Sequence, residues 1–205
     1  MDEKVLAVPR NLIESALKQG FFRDDASDLI GTIGERSVFL DRKLAEEDRS
    51  HKQIIPYIVI THDNRFLVYR RTSKQGEKRL HNKFSLGFGG HINDGDHGGR
   101  PETNLILAAL VRELNEEVYI PSVQQLSVVG FLNDDSNPVG QVHLGVAILV
   151  EAANDRFSVN EPEMIEAQWT DCEGIEKILP TLESWSQLFW SQHLAHRLTG
   201  TQRSL

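Results

Sequence analysis

Apolar and polar positions change their period along this chain, and the changes mark out its elements. Ile54-Ile55-Pro56-Tyr57-Ile58-Val59-Ile60 is a β-branched and aromatic run, Asp63-Asn64 has turn chemistry, and Arg65 to Arg70 alternates. Together they predict a β-hairpin. Upstream, Val5 to Val8 predicts a short strand and Asn11 to Gly20 an amphipathic helix closed by glycine. Arg23 to Ser50 is charge-rich with scattered apolar positions and predicts no definite element. Residues 1–50 thus read as an N-terminal extension of mixed structure, and residues 51–205 as the main domain.

Further along, the polar segment Thr72 to Lys83 leads into a glycine-rich strand, Phe84 to Gly90. A loop rich in Gly and Asp then leads to a strong helix over Asn104 to Val118. Leu126 to Leu132 and Val142 to Glu151 predict strands around an Asn133 to Gly140 loop, Ile165 to Trp169 another strand, and Ile175 to Leu179 a helical turn. In Leu182 to Leu198, Trp185, Leu188 and Phe189 recur at helical spacing and predict a core-packing helix. Strands on both sides of one central helix imply a mixed α/β (α+β) domain.

The central helix carries the chemistry. At about 100° per residue, Leu107, Leu110, Val111, Leu114 and Val118 share an apolar face. Glu113, Glu116 and Glu117, spaced i, i+3 and i+4, gather on one flank of it. Like charges so spaced repel by a few tenths of a kcal/mol per pair, and a hard divalent cation removes that repulsion. The bland alternative is a solvated acidic flank. Gly89-Gly90, closing the strand upstream, lets the backbone approach a ligand closely, so strand, glycine pair, acidic loop and carboxylate helix form a plausible cradle for a metal-bridged phosphate.

These residues resemble the Nudix hydrolase signature: Gly, five residues, Glu, seven residues, then Arg-Glu-apolar-x-Glu-Glu-x-Gly. Gly90 begins it, His91 to Gly95 fill the five positions, and Arg112-Glu113-Leu114-Asn115-Glu116-Glu117 supply the second half without a gap. The resemblance extends over roughly Ile54 to Leu179 and departs from the signature in three places. Asp96 stands where the first Glu is expected, with Glu102 its rival; fifteen residues, 97 to 111, replace the seven; and Tyr119 takes the place of the closing glycine.

The resemblance implies a Nudix fold, a mixed β-sheet sandwiched between helices, and a hydrolase that uses Mg²⁺ or Mn²⁺ to cleave a pyrophosphate bond in a nucleoside diphosphate linked to another moiety. It assigns metal binding to Glu113, Glu116, Glu117 and the Gly90 carbonyl. Glu113, Glu116 and Arg112 take catalytic roles, with Arg112 pairing with Asp96 or Glu102. Glu161 and Glu163 are candidate bases on a later loop. Arg70, at the end of a strand, Gly89 and His91 are the candidate substrate contacts, among further cations at Arg71, Lys74, Lys78, Arg79, His81 and Lys83. The extension and the insertion would set specificity or form a homodimer interface.

Two rivals remain in view. An isopentenyl-diphosphate isomerase would need a cysteine ahead of the motif, whereas Cys172 is the single cysteine. A non-catalytic Nudix-like binding or regulatory module would suit the insertion and Tyr119, yet all three helix glutamates are present. Composition adds exclusions. With 30 acidic against 22 basic side chains and a net charge of -8, there is no basic footprint for duplex nucleic acid. One cysteine excludes an intrachain disulfide and a multi-cysteine zinc site, and Met1 to Arg10 shows neither a signal peptide nor a membrane span. The expected setting is the cytoplasm, without a membrane partner, and the expected partner is a small-molecule diphosphate.

Overall fold

The computed structural model describes residues 3–24, 28–71, 83–98, 104–160 and 165–196. In chain order its elements are β1 (Lys4–Pro9), α1 (Arg10–Ile13), β2 (Gly20–Phe22), α2 (Leu29–Arg36), β3 (Val38–Asp41), α3 (Arg42–Ala45), β4 (His51–His62), β5 (Arg65–Arg71), β6 (Phe84–Ser85) and β7 (Gly87–Phe88). There follow α4 (Leu105–Glu117), β8 (Val118–Tyr119), β9 (Val123–Asn133), β10 (His143–Ala152), β11 (Ser158–Val159), β12 (Ile165–Thr170), α5 (Cys172–Ile178) and α6 (Ser184–Phe189). Among the described residues ten strands form one sheet, with β12-β5-β4-β10-β9-β2 as its main path, β1 on β4, β3 on β1, β6 on β5 and β7 on β4. This is the α+β class that the pattern predicts, a mixed sheet flanked by helices.

The chain divides into two compact units. The first comprises residues 1–57, 89–113 and 129–147. In it β1 pairs antiparallel with β3, Val5 facing Leu40, and with β4, Val8 facing Lys52. β2 pairs with the end of β9, where Phe22 stacks on Phe131. Val5, Val8, Ile13, Ile33, Ile54, Ile92 and Leu132 are buried here, each contributing about 1.5–3 kcal/mol of transfer free energy.

The second unit comprises residues 58–88, 114–128 and 148–205. Asp63 and Asn64, both at positive φ, make the tight turn between β4 and β5 that the hairpin signal predicts. β12 then pairs with β5 over its whole length, Ile165 opposite Arg71 through Thr170 opposite Phe66. The glycine-rich strand is two short strands: β6 lies on β5, and after Leu86 the chain crosses to pair β7 with β4. The Leu86 N–H donates to the Ser186 hydroxyl at 2.9 Å, which satisfies the backbone at the crossing.

Several expectations are corrected. The helix foreseen over Asn11 to Gly20 is the single turn α1, because only Ile13 finds a buried environment, and Gly20 instead opens β2. Arg23 to Ser50, where the pattern predicts no definite element, contains α2, β3 and α3. The C-terminal helix is α6 followed by a π-helical turn, Trp190–Leu194; its buried positions include Ser186, Phe189, Trp190, His193 and Leu194, with Trp185 and Leu188 half-buried. On α4 the buried positions are Ala109, Leu110 and Glu113, while Leu107 and Val111 are about half exposed. The apolar stripe is therefore rotated from its predicted place, and Glu113 faces inward. No helix of the described residues is long and apolar enough to cross a membrane.

Candidate active site

Gly89 and Gly90 follow β7 directly, and each lies where a side chain has no room. A Cβ on Gly89 would strike the Pro56 carbonyl oxygen, and one on Gly90 would strike the Glu113 carboxylate. Glycine is required here for close approach. Gly89→Ala should thus displace the motif loop from the backbone of β4, at a cost of about 1–3 kcal/mol, and lower Tm by roughly 3–10 °C in a thermal melt. An unchanged Tm would show that the loop shifts freely.

From Gly90 the chain runs through a tightly held loop. The Ile92 carbonyl accepts the Leu6 N–H at 2.8 Å, and Ile92 is buried. Asn93 caps a 3-10 turn over Asp94–His97: its side chain accepts the Gly95 N–H at 3.0 Å, and its own N–H donates to Asp96 at 2.8 Å. This Asx-type turn aims the Asp96 carboxylate into the protein, where its side chain is 3% exposed.

Arg112 joins this loop to α4. Its Nε and Nη2 donate to the two Asp96 oxygens at 2.7 and 3.1 Å, its Nη2 also to the His91 carbonyl at 2.8 Å, and its Nη1 to Glu113 Oε1 at 2.7 Å. Only a guanidinium can serve these three groups at once in fixed planar geometry. The Asp96 hydrogen bonds, and after them the Glu113 contact, push the guanidinium further above its already high ordinary value, so it stays charged. Glu113 is thus both oriented and charge-compensated despite its burial. Glu116 and Glu117 lie on the following turn of the same helix; Glu116 is exposed and Glu117 half-buried, with its Oε2 shielded from solvent.

Arg70 faces Glu166 across the β5–β12 pair, with a 2.6 Å ion pair, and its guanidinium lies 5.9 Å from the centre of the Phe84 ring. The His91 side chain turns towards Glu46 and His143, and its hydrogen bond is the main cause that holds the Glu46 carboxyl below its usual range. Glu102, Glu161, Glu163, Lys74, Lys78, Arg79 and His81 lie outside the described residues. Tyr119 is half exposed in β8, extended and paired with Ser158, so this position does not need the conformational freedom of glycine.

Residues 51–189 match the NUDIX domain family. This chain belongs to the Nudix family. It is 36% identical over 197 residues to Protein YmaB of Bacillus subtilis, a match that covers 91% of this chain and 95% of that protein. Among solved structures it is similar to Tm1382, assigned provisionally to the Nudix hydrolases, at 32% identity and a TM-score of 0.79, covering 94% of this chain and 99% of that one. The NUDIX domain of Shewanella oneidensis NrtR, solved with ADP ribose, shares the fold at 12% identity and a TM-score of 0.51, over 72% of this chain and 88% of that one. Membership makes the chain a hydrolase of a family that generally uses divalent metals. The donors fit such an ion: Gly90 lies in contact with a buried glutamate of the signature, and the carboxylates are hard oxygen ligands.

Sequence reasoning did not single out Glu46, Lys52, Asn133, Asp135 or His143. Lys52 is fully buried, and its Nζ donates to Asn133 Oδ1, Asp135 Oδ1 and the Gly140 carbonyl, each at 2.7 Å, and to the His143 carbonyl at 3.3 Å. A polar residue in a strand of apolar neighbours was the available signal.

Proposed function

We propose that this Nudix hydrolase cleaves the pyrophosphate bond of a nucleoside diphosphate linked to another moiety. The observation that carries the proposal is the seating of the Glu113 carboxylate between the Gly90 backbone and Arg112. A glutamate buried at this point and paired with an arginine is suited to binding a cation rather than to solubility.

On this reading Glu113, Glu116, Glu117 and the Gly90 carbonyl hold Mg²⁺ or Mn²⁺. The bound ion supplies Lewis-acid activation of water and neutralises phosphate charge. Arg112 is a positioning residue: it fixes Glu113, Asp96 and the His91 carbonyl relative to one another. Glu113 or Glu116 receives the proton of the attacking water, with Glu163 a further candidate base. Gly89 admits substrate close to the backbone, and Arg70 binds a phosphate by exchanging its Glu166 partner for it. Residues 51–205 form the hydrolytic domain, and the first fifty residues contribute to specificity or to a homodimer. The setting is the cytoplasm.

The test is a phosphate-release screen over ADP-ribose, nucleotide sugars, dinucleotides and nucleoside triphosphates, each with Mg²⁺, Mn²⁺ or chelator. Turnover of a diphosphate ester that chelator abolishes is the expected result. Ligand binding seen as a thermal shift, with no turnover of any compound, would point instead to a regulatory module.

A further inference from the structure

From the geometry we infer a second metal site in this chain, a zinc-class site formed by Glu46, His91 and His143. It stands apart from the hydrolase reading, uses none of the helix glutamates, and falls wholly within the first compact unit.

Among the described residues these three side chains are grouped so that one ligand atom of each lies within 4.8 Å of the others. His91 Nε2 and His143 Nε2 are 3.2 Å apart, and Glu46 Oε1 is 3.5 Å from the first and 3.8 Å from the second. A triangle with these sides has a circumscribed radius of about 2.0 Å, so one point lies at zinc-ligand distance from all three atoms. An ion there would have two imidazole nitrogens and one carboxylate oxygen, with a fourth position open to water. Nitrogen donors select a borderline cation such as Zn²⁺ over Mg²⁺.

The partners of these groups fit the same purpose. His143 Nδ1 lies 2.7 Å from the Val139 carbonyl, which can only accept, so Nδ1 carries a proton and Nε2 is the ligand atom that faces His91 and Glu46. The His143 main chain is held by Lys52 through its carbonyl. His91 is held from behind, its carbonyl bonded to Arg112. Both imidazoles are largely buried, at 14% and 8% exposure, while Glu46 is 39% exposed and closes the site on its solvent side. The three ligands come from the end of α3, the loop after β7 and the start of β10, so an occupied site would cross-link segments distant in sequence.

The same triangle also closes as a plain hydrogen-bonded set, with His91 Nε2–H donating to either acceptor, and the experiment separates the two. Full-length protein, stripped with chelator, is titrated with Zn²⁺ by equilibrium dialysis in excess Mg²⁺, and with Co²⁺ as a spectroscopic probe. The variants are Glu46→Gln, His91→Ala, His143→Ala and the double variant Glu116→Gln/Glu117→Gln. The expected result is one zinc per chain and the intense visible bands of four-coordinate Co²⁺, both preserved in the double variant. Glu46→Gln, on the solvent side and structurally mild, should weaken zinc by more than the roughly 10- to 100-fold that a lost outer partner costs, and the histidine variants should abolish it. Absence of zinc from the wild type, retention at wild-type affinity in both Glu46→Gln and His91→Ala, or loss in the double variant would each overturn the inference.

Discussion

Glu117→Gln and Glu116→Gln are each expected to lower kcat by roughly a thousand-fold, the effect of losing about 4 kcal/mol of charge stabilisation in the transition state. On the proposed mechanism both side chains hold the cation, and the amide keeps shape and volume while removing the charge that binds it. The concentration of Mg²⁺ needed for half-maximal rate should rise in parallel, whereas a merely structural role would leave it unchanged. The fold should survive, because Glu116 is exposed and Glu117 half-buried on the last turn of α4. Full activity in both variants with unaltered metal dependence would refute the assignment. Glu113→Gln is a less direct probe, because it also removes the charge paired with Arg112.

Lys52→Met should have the largest effect on stability. Methionine matches the stem but leaves Asn133 Oδ1 without its donor, the Gly140 carbonyl with the His143 N–H alone, and Asp135 with Arg10 alone of its two cationic partners. Removing one partner from such a buried set costs about 3–5 kcal/mol, which corresponds to a fall in Tm of about 6–20 °C at this chain length. Burial pushes the Lys52 ammonium below its ordinary value, while the Asp135 contacts oppose that shift. The cost of burying the charge is therefore offset only in part by its partners. A melt within a degree of wild type would show that the 133–143 loop holds itself. If the loop loosens as expected, zinc affinity at His143 should fall with it.

The helix α4, the β4–β5 turn and the glycine pair were legible because each rests on local chemistry. A 3.6-residue period, an Asp-Asn turn at positive φ and a strand closed by glycine need only neighbours within a few positions. The meeting of Arg112 with Asp96 was half legible. The signature named the arginine, but the loop before α4 offered two carboxylates, and the Asn93-capped turn is what carries Asp96 inward. The inward turn of Glu113 was not legible. Counting apolar side chains puts Leu107 and Val111 inside, whereas burial of a glutamate becomes favourable only once Arg112 and the Gly90 backbone surround it.

By itself, then, the sequence determined the family, the fold class and the helix that carries the carboxylates, since these follow from short-range periodicity and from an almost contiguous motif. Long-range packing sets which face of that helix is buried, brings Asp96 to Arg112, and makes Glu46, His91 and His143 converge. No spacing rule connects positions 46, 91 and 143. Their side chains meet because the end of α3, the loop after β7 and the start of β10 are brought together by long-range contacts, which a local pattern does not encode.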